Sequence, residues 1–237
     1  MAIDTSRHQQ PPSPLPWLLL LLSATTGLVD AVSVLGLGKV FTANMTGNVV
    51  FLGFAAAGTP GFSWPPYVVA ILTFMLGALV AGRLAKRRSA GPLAGWLVRA
   101  AVVEGALLWA AALVALGFDP ATPDPLRTFA IIALTAIAMG FRNATIRQLK
   151  VPDLTTTVLT LTITGIAADS TAAGGANPNW ARRLGAVASI FAGALFGAVL
   201  VRTTGLTPPL ALAGAAVVAG TIGAARSLQA AHLSAEN

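Results

Sequence analysis

Residues 27–53 read GLVDAVSVLGLGKVFTANMTGNVVFLG, and residues 140–166 read GFRNATIRQLKVPDLTTTVLTLTITGI. An offset of 113 residues lays the first stretch over the second, placing Asp30 opposite Asn143 and Ala31 opposite Ala144. Few letters are identical, so the alignment rests on the spacing of the apolar segments around it. Eight such segments run over about 16–37, 40–57, 66–82, 93–117, 128–149, 154–168, 184–201 and 207–225. Under the offset, the first four fall on the last four. The chain therefore divides into a polar tail (1–15), a first repeat (16–118), a linker (119–127), a second repeat (128–226) and a polar tail (227–237).

Composition agrees with an all-α polytopic membrane protein. Hydrophobic residues make up 55% of the chain and charged residues 10%, against about 25% charged in a soluble domain. Arg7, the leucine run and Ala31-Val32-Ser33 imitate a secretory signal with a small-residue cleavage site. Asp30 beside that site, and the apolar pattern continuing past it, favour a retained first helix. Trp17, Trp64, Trp96 and Trp180 stand near segment starts, the depth at which an amphipathic ring meets the headgroups. Gly77-Ala-Leu-Val-Ala81 and Gly193-Ala-Leu-Phe-Gly197 carry small residues at helix-contact spacing. Packing within one chain explains them more simply than a homo-oligomer, which they also permit.

Segments two and six stand apart. The first holds Thr42, Asn44, Thr46, Gly47 and Asn48, the second Thr155, Thr156, Thr157, Thr160, Thr162, Thr164 and Gly165. Both are polar and short: at 18 and 15 residues they sit at and below the lower end of the roughly 17–25 residues of a full crossing. Two short polar segments at matching places in two halves suggest broken or re-entrant helices lining a cavity. Positive charge separates two topologies. With six crossings, Arg83–Arg88, Arg147–Lys150 and Arg182–Arg183 all share the cytoplasmic side with both termini, leaving Lys39, Arg127 and Arg202 outside. With eight crossings in two parallel repeats, Arg182 and Arg183 fall outside. The positive-inside bias favours six crossings plus two re-entrant segments, with three crossings in each of two inverted repeats.

The runs Val29-Asp30-Ala31-Val32-Ser33, Val40-Phe41-Thr42-Ala43-Asn44-Met45-Thr46-Gly47-Asn48 and Val151-Pro152-Asp153-Leu154-Thr155-Thr156-Thr157 resemble the YoaK-like family of bacterial membrane proteins, over nearly the whole chain. That resemblance implies a bacterial integral membrane protein of about this size and carries no activity with it; the inner membrane is the expected location.

Function has to come from polar groups in lipid, each of which costs a few kcal/mol on insertion scales. Asp30 reads either as a proton- or cation-binding carboxylate or as half of a structural pair with Arg142, whose charge could also attract an anionic solute. Glu104, with Arg99 about a turn and a half earlier, reads as a second coupling carboxylate or another structural pair. Asn44, Thr46, Gly47, Asn48 and Asn143 offer donors and acceptors to a partly dehydrated solute, or bond to neighbouring helices. Of Thr155, Thr156 and Thr157, one or two reach a common path if the segment is helical. Asp153 reads as a helix N-cap.

Several classes fall away. Cysteine is absent, which excludes disulfides and thiolate chemistry. His8 and His232 lie in the polar tails, so neither metal ligation nor a cofactor nor a catalytic base is expected within the membrane. The net charge of +7 belongs to loops rather than to a nucleic-acid surface. Three hypotheses remain: a transporter or channel for a small polar solute or ion, with its path between the repeats and a proton coupled through Asp30; a membrane scaffold or accessory subunit; and, with no motif behind it, an aspartyl enzyme.

Overall fold

A computed structural model describes residues 14–87, 92–149 and 159–236, with side chains to residue 230. Among the described residues all regular structure is helical. Six helices are long and apolar enough to cross a membrane: α1 (Leu15–Gly36), α3 (Trp64–Arg87), α4 (Leu93–Val114), α5 (Pro125–Leu149), α7 (Trp180–Thr204) and α8 (Thr207–Glu236). Two are short: α2 (Met45–Ala56) and α6 (Leu159–Ala168). The 12 residues of α2 reach about 18 Å at about 1.5 Å per residue, well under the roughly 30 Å hydrocarbon core.

The buried clusters sort the helix ends. One cluster gathers Val32 near the end of α1, Tyr67 at the start of α3, Ala112 near the end of α4, Ile131 near the start of α5 and Leu210 at the start of α8. Another gathers Leu18 at the start of α1, Ala101 in α4, Ile146 near the end of α5, Ala186 near the start of α7 and Ala224 in α8. A third joins Ala81 late in α3 to Trp96 early in α4 and Phe141 late in α5. The long helices therefore alternate in direction. The end of α1 and the start of α3 share one end of the bundle, so α2 leaves from and returns to that end. The end of α5 and the start of α7 share the other end, with α6 between them. This second end carries Arg83, Lys86, Arg87, Arg147, Arg182 and Arg183; it is called the basic end below.

α1 and α5 are the central helices; α3 and α7 lie outside and turn Leu72, Met75, Leu79, Phe191, Leu195 and Val199 outwards. Such helices gain nothing hydrophobic by meeting in lipid, so close backbone approach has to hold them. Glycines provide it. A Cβ on Gly27 would strike the Ile190 carbonyl and one on Gly193 the Ala24 carbonyl, where α1 crosses α7. The α3–α5 crossing has the same arrangement: Gly140 lies on the Phe74 carbonyl and Gly77 on the Ile137 carbonyl. Gly77 and Gly193 thus serve packing within the chain. Where α4 crosses α8, Gly105 and Gly214 each face the other's carbonyl oxygen, and Trp109 Nε1 donates to the Ala211 carbonyl at 3.1 Å.

The connections have their own fastenings. Phe51 of α2 stacks on Phe41 and packs against Phe62 and Tyr67, fixing α2 to the start of α3. Arg127 at the start of α5 donates to the Val114 and Leu116 carbonyls at the end of α4. A cation there also complements the negative pole of the helix. At the basic end Arg183 of α7 holds the Gly165 carbonyl at 2.7 Å and Asp169 Oδ2 at 2.6 Å, tying down the C-terminus of α6.

Candidate functional site

Arg142 is the largest fully buried side chain of the protein. It sits on the face of α5 turned towards α1 and α4, and its guanidinium joins all three helices. Nε donates to Glu104 Oε1 at 2.7 Å, and Nη2 bonds the same oxygen. Nη1 donates to the Leu22 carbonyl at 2.9 Å and to Thr26 Oγ1 at 2.8 Å. The Thr26 hydroxyl in turn donates to the Leu22 carbonyl at 2.8 Å. Side-chain exposure is 1% for Arg142 and 5% for Glu104, so the charges are compensated by each other rather than by water. Such a pair offsets its own desolvation only where further hydrogen bonds satisfy it, as the Leu22 carbonyl and the Thr26 hydroxyl do for Nη1.

Glu104 Oε1 takes the whole pair, and among the described residues no hydrogen bond reaches Oε2. Beside it a narrow cleft runs between α1, α4, α5 and α8, from Leu18, Leu97 and Leu149 near the basic end inwards to Glu104 and Arg142, with Thr145 and Thr221 on its walls. The space open to the centre of a water molecule is about 20 Å³. By that measure one water needs about 10–15 Å³, so the cleft admits about one.

A second polar cluster lies at the opposite end, where the chain leaves α1. Residues 37–43 fold back into the bundle, with Val40, Thr42 and Ala43 buried. A buried non-helical segment needs partners for its backbone, and two side chains supply them. Asp30 Oδ1 accepts the Ala43 amide at 3.0 Å. Asn48 accepts the Phe41 amide at 2.9 Å through Oδ1 and donates to the Phe41 carbonyl at 2.6 Å through Nδ2. The side chain of Asn48 thereby replaces a strand neighbour. Left-handed Gly38 and Lys39 make the turn. Two sealed polar atoms, Thr42 Oγ1 and Trp96 Nε1, have no hydrogen-bond partner among the described residues.

Against this geometry the residues singled out in the sequence divide. Arg142 and Glu104 come together, with each other: Arg142 makes no ion pair to Asp30, and Arg99 is exposed on α4. Both pairings suggested by sequence proximity or repeat position therefore give way to one across helices, because α5 turns Arg142 towards α4. Asp30 and Asn48 act on the backbone of the α1–α2 connection. Asn44 and Thr46 are exposed at the start of α2, and Gly47 lies against the Phe41 ring. Asn143 donates to the Met139 carbonyl of its own helix at 2.8 Å. Thr155, Thr156, Thr157 and Asp153 lie outside the described residues. Leu22, Thr26, Thr145 and Thr221 were not singled out. A helical wheel through Arg142 would have flagged Thr145, one turn later on the same face.

Residues 18–224 match the family described as "Protein of unknown function (DUF1275)". The chain belongs to this family. It is also 30% identical over 154 residues to the UPF0700 transmembrane protein YoaK of Bacillus subtilis (strain 168), an alignment covering 64% of this chain and 65% of that relative. The chain thus spans just under two thirds of the curated relative it matches. No solved structure matches. With six apolar helices long enough to span and a transmembrane relative, this DUF1275 chain is a multi-pass membrane protein of the YoaK-like kind, and its helices contact the lipid bilayer.

Proposed function

We propose that the protein is an inner-membrane transporter or channel for a small polar solute or ion, made of two inverted repeats with the path at their interface. One observation carries the reading: a fully buried Arg142–Glu104 pair at the inner end of a cleft that starts at the basic end. Ionisable groups at membrane depth, facing the bundle interior, typically mark ion and substrate paths.

The repeat has its own support. An offset of 113 residues carries Gly27 onto Gly140 and Ala24 onto Ile137, and 116 carries Phe74 onto Ile190 and Gly77 onto Gly193. The α1–α7 and α3–α5 crossings are then one contact used twice. An offset of 109 carries Gly105 onto Gly214, which face each other, as residues beside a two-fold axis must. Short helices that leave from and return to opposite ends of the bundle suit re-entrant α2 and α6, and the clustering of Arg and Lys supports a cytoplasmic basic end with both termini on that side.

In this reading Glu104 Oε2, free of hydrogen bonds, is the group that meets a proton or solute in the cleft, and Arg142 holds the carboxylate in place. Asp30 takes a positioning role, holding the re-entrant connection. The test is flux in proteoliposomes across a panel of protons, alkali cations, small anions, amino acids and sugars, comparing wild type with Glu104→Gln. Flux of one panel member, reduced at least tenfold by Glu104→Gln with folding intact, is expected. No flux by folded protein, with a stoichiometric partner copurifying, would replace this reading with that of an accessory subunit.

A further inference from the structure

Resting on the repeat reading above, the packing identifies a second access route at the end of the bundle opposite the basic end, closed in this structure. The repeat offsets translate the walls of the cleft residue by residue. Leu22 becomes Thr135, Leu149 becomes Gly36, Leu97 becomes Leu206 and Val217 becomes Leu108. The polar pair itself, Arg142 and Glu104, becomes Val29 and Ala213.

Every one of these counterparts is sealed. Val29, Leu108 and Ala213 have no exposure, Leu206 and Thr135 have 1%, and Gly36 is buried directly against the Leu206 side chain. Val29, Leu108, Leu206 and Ala213 belong to the largest apolar cluster of the protein. At the basic end the corresponding side chains are also buried, Val217 at 1%, Leu97 at 5% and Leu22 at 7%, but they border a cleft wide enough for a water molecule. Two equivalent interfaces therefore adopt two packings within one chain.

We infer that the two interfaces exchange packings: the contacts of Leu206 with Gly36 and of Leu108 with its neighbours open as the cleft around Leu97, Leu149 and Val217 closes. Each interface shares its helix arrangement with a twin that takes the other form, and a packed interface switches between discrete arrangements rather than deforming gradually. The exchange would present Glu104 to one side of the membrane and then to the other. The polar pair has no twin, so a single central site serves both routes.

The native chain has no cysteine, which makes the test direct. Thr221→Cys reports on the cleft and Thr135→Cys on the sealed route, each labelled with a membrane-impermeant maleimide from either side of oriented vesicles. The cleft holds about one water, so labelling reports its transient widening, and Thr221→Cys is expected to react at least tenfold faster than Thr135→Cys, and from the basic side. Adding Leu206→Ser, which loosens the sealed packing, should raise labelling of Thr135→Cys from the far side and lower that of Thr221→Cys by a similar factor. Gly36→Ala, a wedge against Leu206, provides the same perturbation should Leu206→Ser fail to fold. A rise at residue 135 with no fall at 221 would mean local loosening and overturn the exchange, as would no change at either site. The assay needs no solute. Reciprocal labelling without flux would sink the transport reading alone, and flux without reciprocity would sink this one alone.

Discussion

Replacing Glu104 by Leu should be among the most damaging single changes in the protein, and replacing Arg142 by Met as well should largely reverse the damage. Alone, Glu104→Leu strands a guanidinium in a bundle interior where two of its N–H groups have lost their acceptor. Hydrogen bonds to charged groups contribute about 1.5–3 kcal/mol each, and breaking a buried pair by removing one partner costs about 3–5 kcal/mol. At about 1.4 kcal/mol per tenfold change, the unfolding equilibrium shifts by roughly two to four orders of magnitude. Arg142→Met alone strands the carboxylate at a similar cost. In the double variant no charge is left. The Leu22 carbonyl keeps the Thr26 hydroxyl as its donor, and apolar replacement of a whole buried pair is often neutral. The double variant should therefore lie within about 2 kcal/mol of wild type, a coupling of several kcal/mol. Reversible unfolding in mixed detergent micelles, followed by tryptophan fluorescence, measures all four corners of the cycle. Singles costing under about 1 kcal/mol, or a double variant as unstable as the sum of the singles, would refute the account of Arg142 as a charge held by Glu104.

The glycine crossings predict a sharp contrast within one helix. Gly77→Ala pushes a methyl into the Ile137 carbonyl and should cost about 1–3 kcal/mol or more, whereas Gly82→Ala enters open space and should leave thermal stability in detergent unchanged. Asn48→Ala removes both hydrogen bonds to Phe41. It should cost about 2–3 kcal/mol, at roughly 1–1.5 kcal/mol per bond, and speed amide exchange in residues 37–43 ahead of the rest of the chain. Single cysteines at Thr59 and Asn177, probed with impermeant maleimide in whole cells, should report opposite sides, 59 outside and 177 inside. Labelling of both from outside would restore eight crossings.

The helices were legible in the sequence to within a few residues at most boundaries, because in lipid the length and apolarity of a segment nearly determine its form. The contrast of six long segments with two short ones was legible for the same reason. The site was legible only in part. Hydropathy gives the depth of Arg142 and Glu104 but not the direction in which their helices face, so Asp30 seemed a natural partner for Arg142 and Arg99 for Glu104. Asp30 and Asn48 read in the sequence as lining for a path; their bonds to the backbone of residues 37–43 are not legible there, because nothing local shows that this segment folds inwards and needs its amides and carbonyls satisfied. That requirement arises only once Val40, Thr42 and Ala43 are buried.

The glycine crossings also govern how the protein is made. The close contacts join α1 to α7 and α3 to α5, so each half of the chain finds its tightest partners in the other. A ribosome releases α1 into the bilayer long before α7 exists, and the first three spanning helices have to wait there without their final neighbours. Insertion and assembly are then separate events: the α3–α5 crossing can close once Leu149 is made, and the α1–α7 crossing waits until Thr204. The interval between them is when this membrane protein is most exposed to quality control.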